Sequence, residues 1–385
     1  MIELAAALRK RLFALVPDDV SLVVSSDPSN KGYLSGYHSI IHDIAPDYRS
    51  AVLATRDRAS LVLTAADAGP GLELLKDPDL LFRYGEFYFE THGDSPKGYN
   101  VPGRPSFDEA FADALAALAP GRGLVGVDRS DGDLLWRICS EKLGESRIVD
   151  VTPAFRQARR TKTSGEISLL RRSTELVEAG LKSVIANARV GMTEIDLSRL
   201  ISTELVGGGA IPRIVSVTSG PRSALADTYA TDRKIMAGDM IRIDTAATYQ
   251  GYWSDMARCF VFGEPSARQA SIYAALLLGL EEELKAVKPG VAANHLFDVA
   301  MSTVRSNGIA HYKRQHCGHG IGLKTYDSPI VNSKDTTLLE PGMCLCLETP
   351  YYQLNLDGMM VEDTIVVTDK GYDPITTISR ELFVL

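Results

Sequence analysis

Residues 241–260 read IRIDTAATYQGYWSDMARCF and place two acids, Asp244 and Asp255, eleven positions apart about a turn. The flanks alternate as half-buried strands do, with Ile241, Ile243 and Thr245 on one face and Arg242, Asp244 and Ala246 on the other. Tyr249-Gln250-Gly251 supplies the turn. A loop of Tyr249-Gln250 sets Asp244 directly opposite Asp255, and a loop of Gln250-Gly251 makes them diagonal neighbours. In either register two like charges face each other at roughly 5 to 8 Å, which is unfavourable without a bound cation or a shared proton.

Working outward, the hairpin belongs to a repeat. A helical segment at Val190-Gly191-Met192, followed by Leu197 and Leu200, recurs as Pro289-Gly290-Val291, followed by Leu296 and Val299. Gly238-Asp239-Met240 leads to Asp244, and Gly342-Met343-Cys344 leads to Glu348, each acid six residues after its glycine. A returning strand then adds Asp255 in the first half and Glu362 in the second. Two helix-plus-hairpin units therefore bring four acids to one pseudo-twofold centre. Between the halves lies HCGHGIGLKTYDSP, residues 316–329, whose glycines let backbone approach closely around His319. One imidazole and four carboxylates carry a formal charge that balances two divalent cations. Oxygen-rich ligation with one histidine suits Mn²⁺, Co²⁺, Fe²⁺ or Zn²⁺. Such a pair of ions lowers the pKa of a shared water, and a hydroxide nucleophile follows.

The remaining chain bounds the context. Its 385 residues suffice for two domains with real cores, and a net charge of −8 without a basic patch argues against nucleic acid or anionic membrane as partners. A small substrate is expected. The start, MIELAAALRKRLFALVP, is neither a secretory signal nor an anchor, so the cytosol is expected. Five cysteines without zinc-type spacing predict reduced, packed thiols; Cys317 beside His316 also invites a nucleophile reading.

Residues 1–158 alternate helix and strand: helices over 1–15 and 107–118, strands over 20–24, 51–55, 60–64 and 124–127. NKGYLSGYHSIIHD, carrying His38 and His42, is expected to be a loop, and residues 93–105 a Gly/Pro-rich surface loop suited to a lid or dimer contact. A boundary falls near residue 160, before a helix capped at Thr163 or Ser164 with Glu166 in its first turn; the second domain is 159–385.

The whole chain resembles the pita-bread family of creatinase, prolidase, aminopeptidase P and methionine aminopeptidase. RIDTAATYQGYWSD, GHGIGL, LETP and VED stand in place of its ligand motifs, and the successive spacings of 11, 64, 29 and 14 are similar to those of a prolidase. The resemblance implies an α+β fold, a creatinase-like amino-terminal α/β domain followed by a pita-bread domain with an internal pseudo-twofold repeat. It implies that Asp244, Asp255 and Glu362 bind two metals, that His319 ligates one, and that Glu348 is both ligand and general base. A homodimer is the corresponding oligomer, with the His38/His42 loop reaching in from a second subunit.

Elsewhere the resemblance thins. Where the peptidases show a histidine in a stretch like SALPHG, this chain reads SALADT and places Asp227; a second histidine, seven residues past His319, is Tyr326. An ionised Asp227 cannot donate a hydrogen bond but binds a cationic nitrogen, while the Tyr326 hydroxyl donates to an oxyanion. The following acid is shortened to Asp327, and an arginine two residues before the last glutamate is Met360. The expected function is a binuclear metallohydrolase cleaving a C–N bond of a small amide, amidine or cyclic amide, possessing Asp227, Tyr229, Tyr326 and Asp327 around its substrate. The alternatives are an Xaa-Pro dipeptidase, a metal-dependent lyase on the same scaffold, and a non-catalytic pita-bread binding module.

Overall fold

Asp27 and Pro28 decide the first departure from the sequence reading. The Asp27 carboxylate accepts from the Asn30 N–H at 2.9 Å and Pro28 occupies the first helical position, so the expected loop begins as a helix. The computed structural model describes residues 1–45, 47–94, 98–99, 101–119 and 121–385. Residues 95–97 and 100 of the expected 93–105 loop lie outside these. Two compact units divide the chain, Met1–Arg159 and Arg160–Leu385.

The first unit holds helices α1 (Ile2–Phe13), α2 (Pro28–Ser35), α3 (Ile41–Ile44), α4 (Ala68–Leu75), α5 (Phe107–Leu118) and α6 (Leu134–Leu143), with α7 (Thr152–Arg160) closing it. Its strands are β1 (Val20–Ser25), β2 (Ala51–Ala54), β3 (Ala59–Thr64), β4 (Leu81–Tyr84), β5 (Leu124–Val127) and β6 (Ile148–Asp150), in the order β4-β3-β2-β1-β5-β6. The sheet is mixed, parallel where β1, β5 and β6 meet and antiparallel from β1 through β3. Helix α5 shows why these elements form. Ser106 accepts from the Glu109 N–H, and Phe107, Ala110, Phe111, Ala114 and Leu115 recur at helical spacing to pack on Leu22, Leu53 and Val125.

His42, on α3, faces the buried Lys31 ammonium, which also donates to Ser50. Burial, and then the Lys31 charge, push the imidazole down to about 4 from its usual 6.5. The unfolded chain therefore binds the proton first on acidification, so stability is lost as pH falls from 6.5 toward 4. Allowing for partial exposure, the loss is about 1 kcal/mol. Fluorescence of Trp136, in this unit, should report it during urea unfolding, and His42→Gln should flatten it; an unchanged slope in the variant sinks the assignment.

The second unit is built twice. Helices α8 (Ser164–Asn187) and α9 (Glu194–Gly207) cover strands β7 (Ile211–Ser219), β8 (Met240–Tyr249) and β9 (Tyr252–Val261). Helices α10 (Ala267–Ala286) and α11 (Ala293–Ser306) cover β10 (Gly318–Gly320), β11 (Asp327–Ile330) and β12 (Cys344–Glu348). β13 (Tyr351–Gln353) and β14 (Asp357–Met359) form a separate pair, while β15 (Glu362–Val367), β16 (Tyr372–Pro374) and β17 (Phe383–Val384) complete the main sheet. Its path is β11-β10-β12-β15-β9-β8-β7, with the two hairpin units meeting at β9 and β15. Each half has its own core. Leu176, Val177 and Leu181 pack with Ile241, Ile243 and Phe260, and Leu276, Leu280 and Leu296 pack with Leu345, Leu347 and Ile365.

The helical reading of Val190-Gly191-Met192 is corrected. Gly191 and its repeat partner Gly290 have φ of +89° and +81°, left-handed turn positions that glycine fills without strain, and the helices start three residues later. Helix α8 begins as expected from the Thr163 cap, with Glu166 completing a capping box.

Arg258 is buried at the seam between the halves. Its guanidinium donates to Asp363 and to the Glu362 carbonyl, each at 2.6 Å, and to the Ser379 and Ile378 carbonyls. Arg258→Met strands Asp363 in the interior with Arg380 alone beside it. We expect about 3 kcal/mol of lost stability in urea unfolding, and a loss below about 1 kcal/mol would refute this role.

Candidate metal centre and active site

The turn settles the hairpin register. Gln250 and Gly251 both adopt positive φ, 49° and 85°, as a two-residue turn joining right-twisted strands requires. Tyr249 then pairs with Tyr252, Asp244 with Ala257 and Ala246 with Asp255, so the two aspartates are diagonal neighbours. Ala257 pairs onward with Glu362, and Glu362 with Glu348. One register line across four strands thus carries Asp244, Glu362 and Glu348, with Asp255 two residues from it on the same face. His319 pairs with Cys346, two residues before Glu348, and so joins that face. Gly320 beside it is obligatory, because a Cβ there would meet the Ser328 carbonyl at 2.5 Å.

These side chains line one cavity of about 530 Å³ together with Asp227, Tyr229, Arg213, Arg314, His316, Tyr326, Tyr352 and Met360. Ligand atoms of Asp255, His319, Cys346 and Glu362 lie within 4.8 Å of one another, all buried. The His319 Nδ1 lies 3.1 Å from the Gly320 carbonyl, leaving Nε2 turned to Asp255 Oδ2 at 4.0 Å. Burial pushes this imidazole down, favouring the neutral form that ligates cations.

The carboxyls divide into two kinds. Burial first, then the neighbouring acids, push Asp255 and Glu362 well above the carboxylate range. Asp244 rises to about 6, again chiefly by burial, and Glu348 and Asp227 raise it further while Arg242 opposes. Glu348 is different. Burial works to raise it, but His316 at 2.9 Å, with Arg314 and His319, holds it below its usual range. Acids crowded this way in a buried pocket need cations or protons, and a set of oxygen donors with one neutral imidazole fits divalent metal ions.

Arg242 links the hairpin to the neighbouring loop. Fully buried, it donates to Asp244 at 3.2 Å and to the Ser223, Leu225 and Ala226 carbonyls, which fixes the backbone leading into Asp227. Asp227 itself is exposed to the cavity, and Tyr229 stands at its mouth, 90% exposed. Tyr326 stacks on His319, centroids 3.9 Å apart, and burial pushes its phenol up so that it stays a donor. Asp327 is corrected: it is buried in β11 and absent from the cavity lining. His38 and His42 belong to the first unit, where His42 is engaged by Lys31. Cys317 is fully buried, and burial raises its thiol, which leaves no accessible nucleophile there.

Sequence reasoning passed over His316, Arg314, Tyr352 and Cys346. His316 had one signal, its place three residues before His319 in the glycine-rich stretch. Tyr352 had none, since it arrives from the separate β13–β14 pair to lie under the Arg242 and Arg314 guanidiniums at 5.4 and 5.7 Å.

Known proteins share this architecture. The chain is 30% identical over 244 residues to an Xaa-Pro dipeptidase of Pyrococcus furiosus, covering 63% of this chain and 70% of that one. Among solved structures, an X-Pro aminopeptidase from Thermotoga maritima superposes with a TM-score of 0.82 at 23% identity, covering 98% and 99% of the two chains. The prolidase from Pyrococcus horikoshii gives 0.78 at 25% identity, covering 98% and 99%. The fold is therefore the pita-bread fold, and no helix among the described residues is long and apolar enough to cross a membrane. The model of metallopeptidase family M24 matches residues 168–369, through both hairpins and the histidine stretch between them. A match over more than half the chain, centred on the acids that the register gathers, makes this chain a member of metallopeptidase family M24.

Proposed function

We propose that the chain hydrolyses the C–N bond of a dipeptide-sized amide that carries a cationic nitrogen, as a free dipeptide does. The observation that carries this reading is Asp227, an exposed acid in the same cavity as the five clustered side chains. Residues 159–385 are the catalytic domain, and 1–158 the creatinase-like amino-terminal one. Asp244, Asp255, His319, Glu348 and Glu362 hold two divalent cations, among which Mn²⁺, Co²⁺, Fe²⁺ and Zn²⁺ suit the donors. When bound, these ions lower the proton affinity of water and polarise a carbonyl oxygen.

The side chains do the rest. Asp227 pairs with the substrate ammonium and sets its orientation. Glu348, steadied by His316, takes the proton of the attacking water and returns it to the departing nitrogen as the C–N bond breaks. Tyr326 donates to the oxygen on which charge develops. The cavity's volume suits a ligand of this size.

The test is turnover of Xaa-Pro and other dipeptides, each with a free and an acetylated amino terminus, by metal-reconstituted protein. We expect hydrolysis of the free forms and, in Asp227→Asn, a KM raised about ten-fold, the loss of one charge-assisted hydrogen bond. Hydrolysis of no dipeptide by fully loaded protein overturns the reading.

A further inference from the structure

Behind the cavity, helix α10 carries an acid that this mechanism does not use. Glu283 is fully buried, and neither carboxyl oxygen has a hydrogen-bond partner among the described residues. It shares a helical face with Leu276, Gly279 and Leu280. That face is pressed against the end of β12: Thr349, next to Glu348, donates to the Leu276 carbonyl at 2.8 Å, and a Cβ on Gly279 would meet Thr349 at 3.3 Å.

Tyr312 is equally buried, and its hydroxyl also lacks a partner among the described residues. The two groups share surroundings. Tyr312 and Cys317 pack in one core with Leu280 and Leu284, the α10 residues on either side of Glu283 in the helix. The Cys317 carbonyl accepts the Glu348 backbone N–H at 3.0 Å, which ties this core to the strand end that presents Glu348.

An ionised carboxylate without a partner is not tolerated in an apolar interior, and burial raises the Glu283 carboxyl well above its ordinary value. Glu283 therefore keeps its proton. A carboxylic acid and a phenol are each donor and acceptor, and unpaired buried groups of this kind are where proteins hold ordered water.

We propose that protonated Glu283 and the Tyr312 hydroxyl hold buried water behind Glu348, which makes Glu283 a positioning residue for the general base. The neutral acid fixes the Glu348 strand end from below without placing a second negative charge beside it. The kinetic half of this proposal rests on the hydrolase reading, and the structural half does not.

The experiment has arms to match. Infrared difference spectra of the full chain without substrate, wild type against Glu283→Gln, should show a protonated carboxyl band at neutral pH that the variant lacks. A high-resolution crystal structure should place a water within hydrogen-bond distance of both Glu283 and Tyr312. In kinetics, Glu283→Leu should lower kcat about ten-fold with KM unchanged, as outer-layer partners of a metal site do, and Glu283→Gln should restore most of the loss. Tyr312→Phe gives the same kcat loss and carries this arm if Glu283→Leu does not fold. The absence of the infrared band, a dry gap between the two groups, or wild-type kcat in both Glu283→Leu and Tyr312→Phe overturns the proposal. If no dipeptide is turned over at all, the hydrolase reading fails, while the infrared and crystallographic arms still decide the state of Glu283.

Discussion

Glu348→Gln should lower kcat about 10³-fold while the protein stays folded. The amide keeps the volume and one acceptor oxygen, and it cannot take a proton. His316, 2.9 Å from the native carboxylate, then meets an amide instead of a charge. Among the clustered acids this carboxyl alone is held below its usual range, because cationic and imidazole groups converge on it, while burial and neighbouring acids, Asp244 and Glu348 among them, raise both Asp255 and Glu362. It is thus the acid best suited to stay ionised and accept a proton during turnover. The measurement is steady-state hydrolysis of a dipeptide, with metal content determined on the same sample. Recovery of the wild-type rate in excess metal would show that Glu348 acts only as a ligand, and a wild-type kcat at equal metal content would remove it from the chemistry.

How much of this was readable from the sequence depends on the kind of contact. Positions tied by strand period and a short turn were legible: Asp244, Asp255, Glu348 and Glu362 sit where alternation and the repeated Gly-x-x-x-x-x-acid spacing put them. The register itself was not decided until Gln250 and Gly251 took left-handed conformations, since glycine at the second turn position permits this without demanding it. Asp327 failed for a related reason. One residue along a strand turns a side chain to the other face, and β11 turns Asp327 inward, away from the cavity that Tyr326 lines. The stretch after Asn30 read as a loop because its glycines and serines are poor helix formers, and the Asp27 cap with Pro28 outweighed them. His316, Arg314 and Tyr352 reach the cavity by tertiary approach, which leaves no periodic trace. The buried pair of Glu283 and Tyr312 belongs to the same class.

Metal should reverse the pH dependence of stability, and Glu362→Gln should largely remove both effects. In metal-free protein, burial and the facing acids raise Glu362 and Asp255 well above their ordinary values. The folded state then binds more protons than the unfolded chain above the ordinary carboxyl range, so stability falls as pH rises through that window toward the raised values. Chelated protein should accordingly melt higher at mildly acidic than at neutral pH. A divalent cation needs the carboxylates ionised, so its affinity grows with pH and the order inverts. Saturation at a hundred to a thousand times Kd adds about 3 to 4 kcal/mol at neutral pH. Glu362→Gln takes away one of the opposed charges, which stabilises the chelated form at neutral pH and flattens its slope. The same change removes a ligand, so the gain on adding Mn²⁺ or Zn²⁺ should shrink by at least about 1.4 kcal/mol, a ten-fold loss of affinity. Thermal melts of both proteins, with chelator and with metal at several pH values, separate these effects by sign. A chelated wild type with no fall in stability toward neutral pH, or an undiminished metal response in Glu362→Gln, would mean that the acids gathered by the hairpins do not form the metal centre.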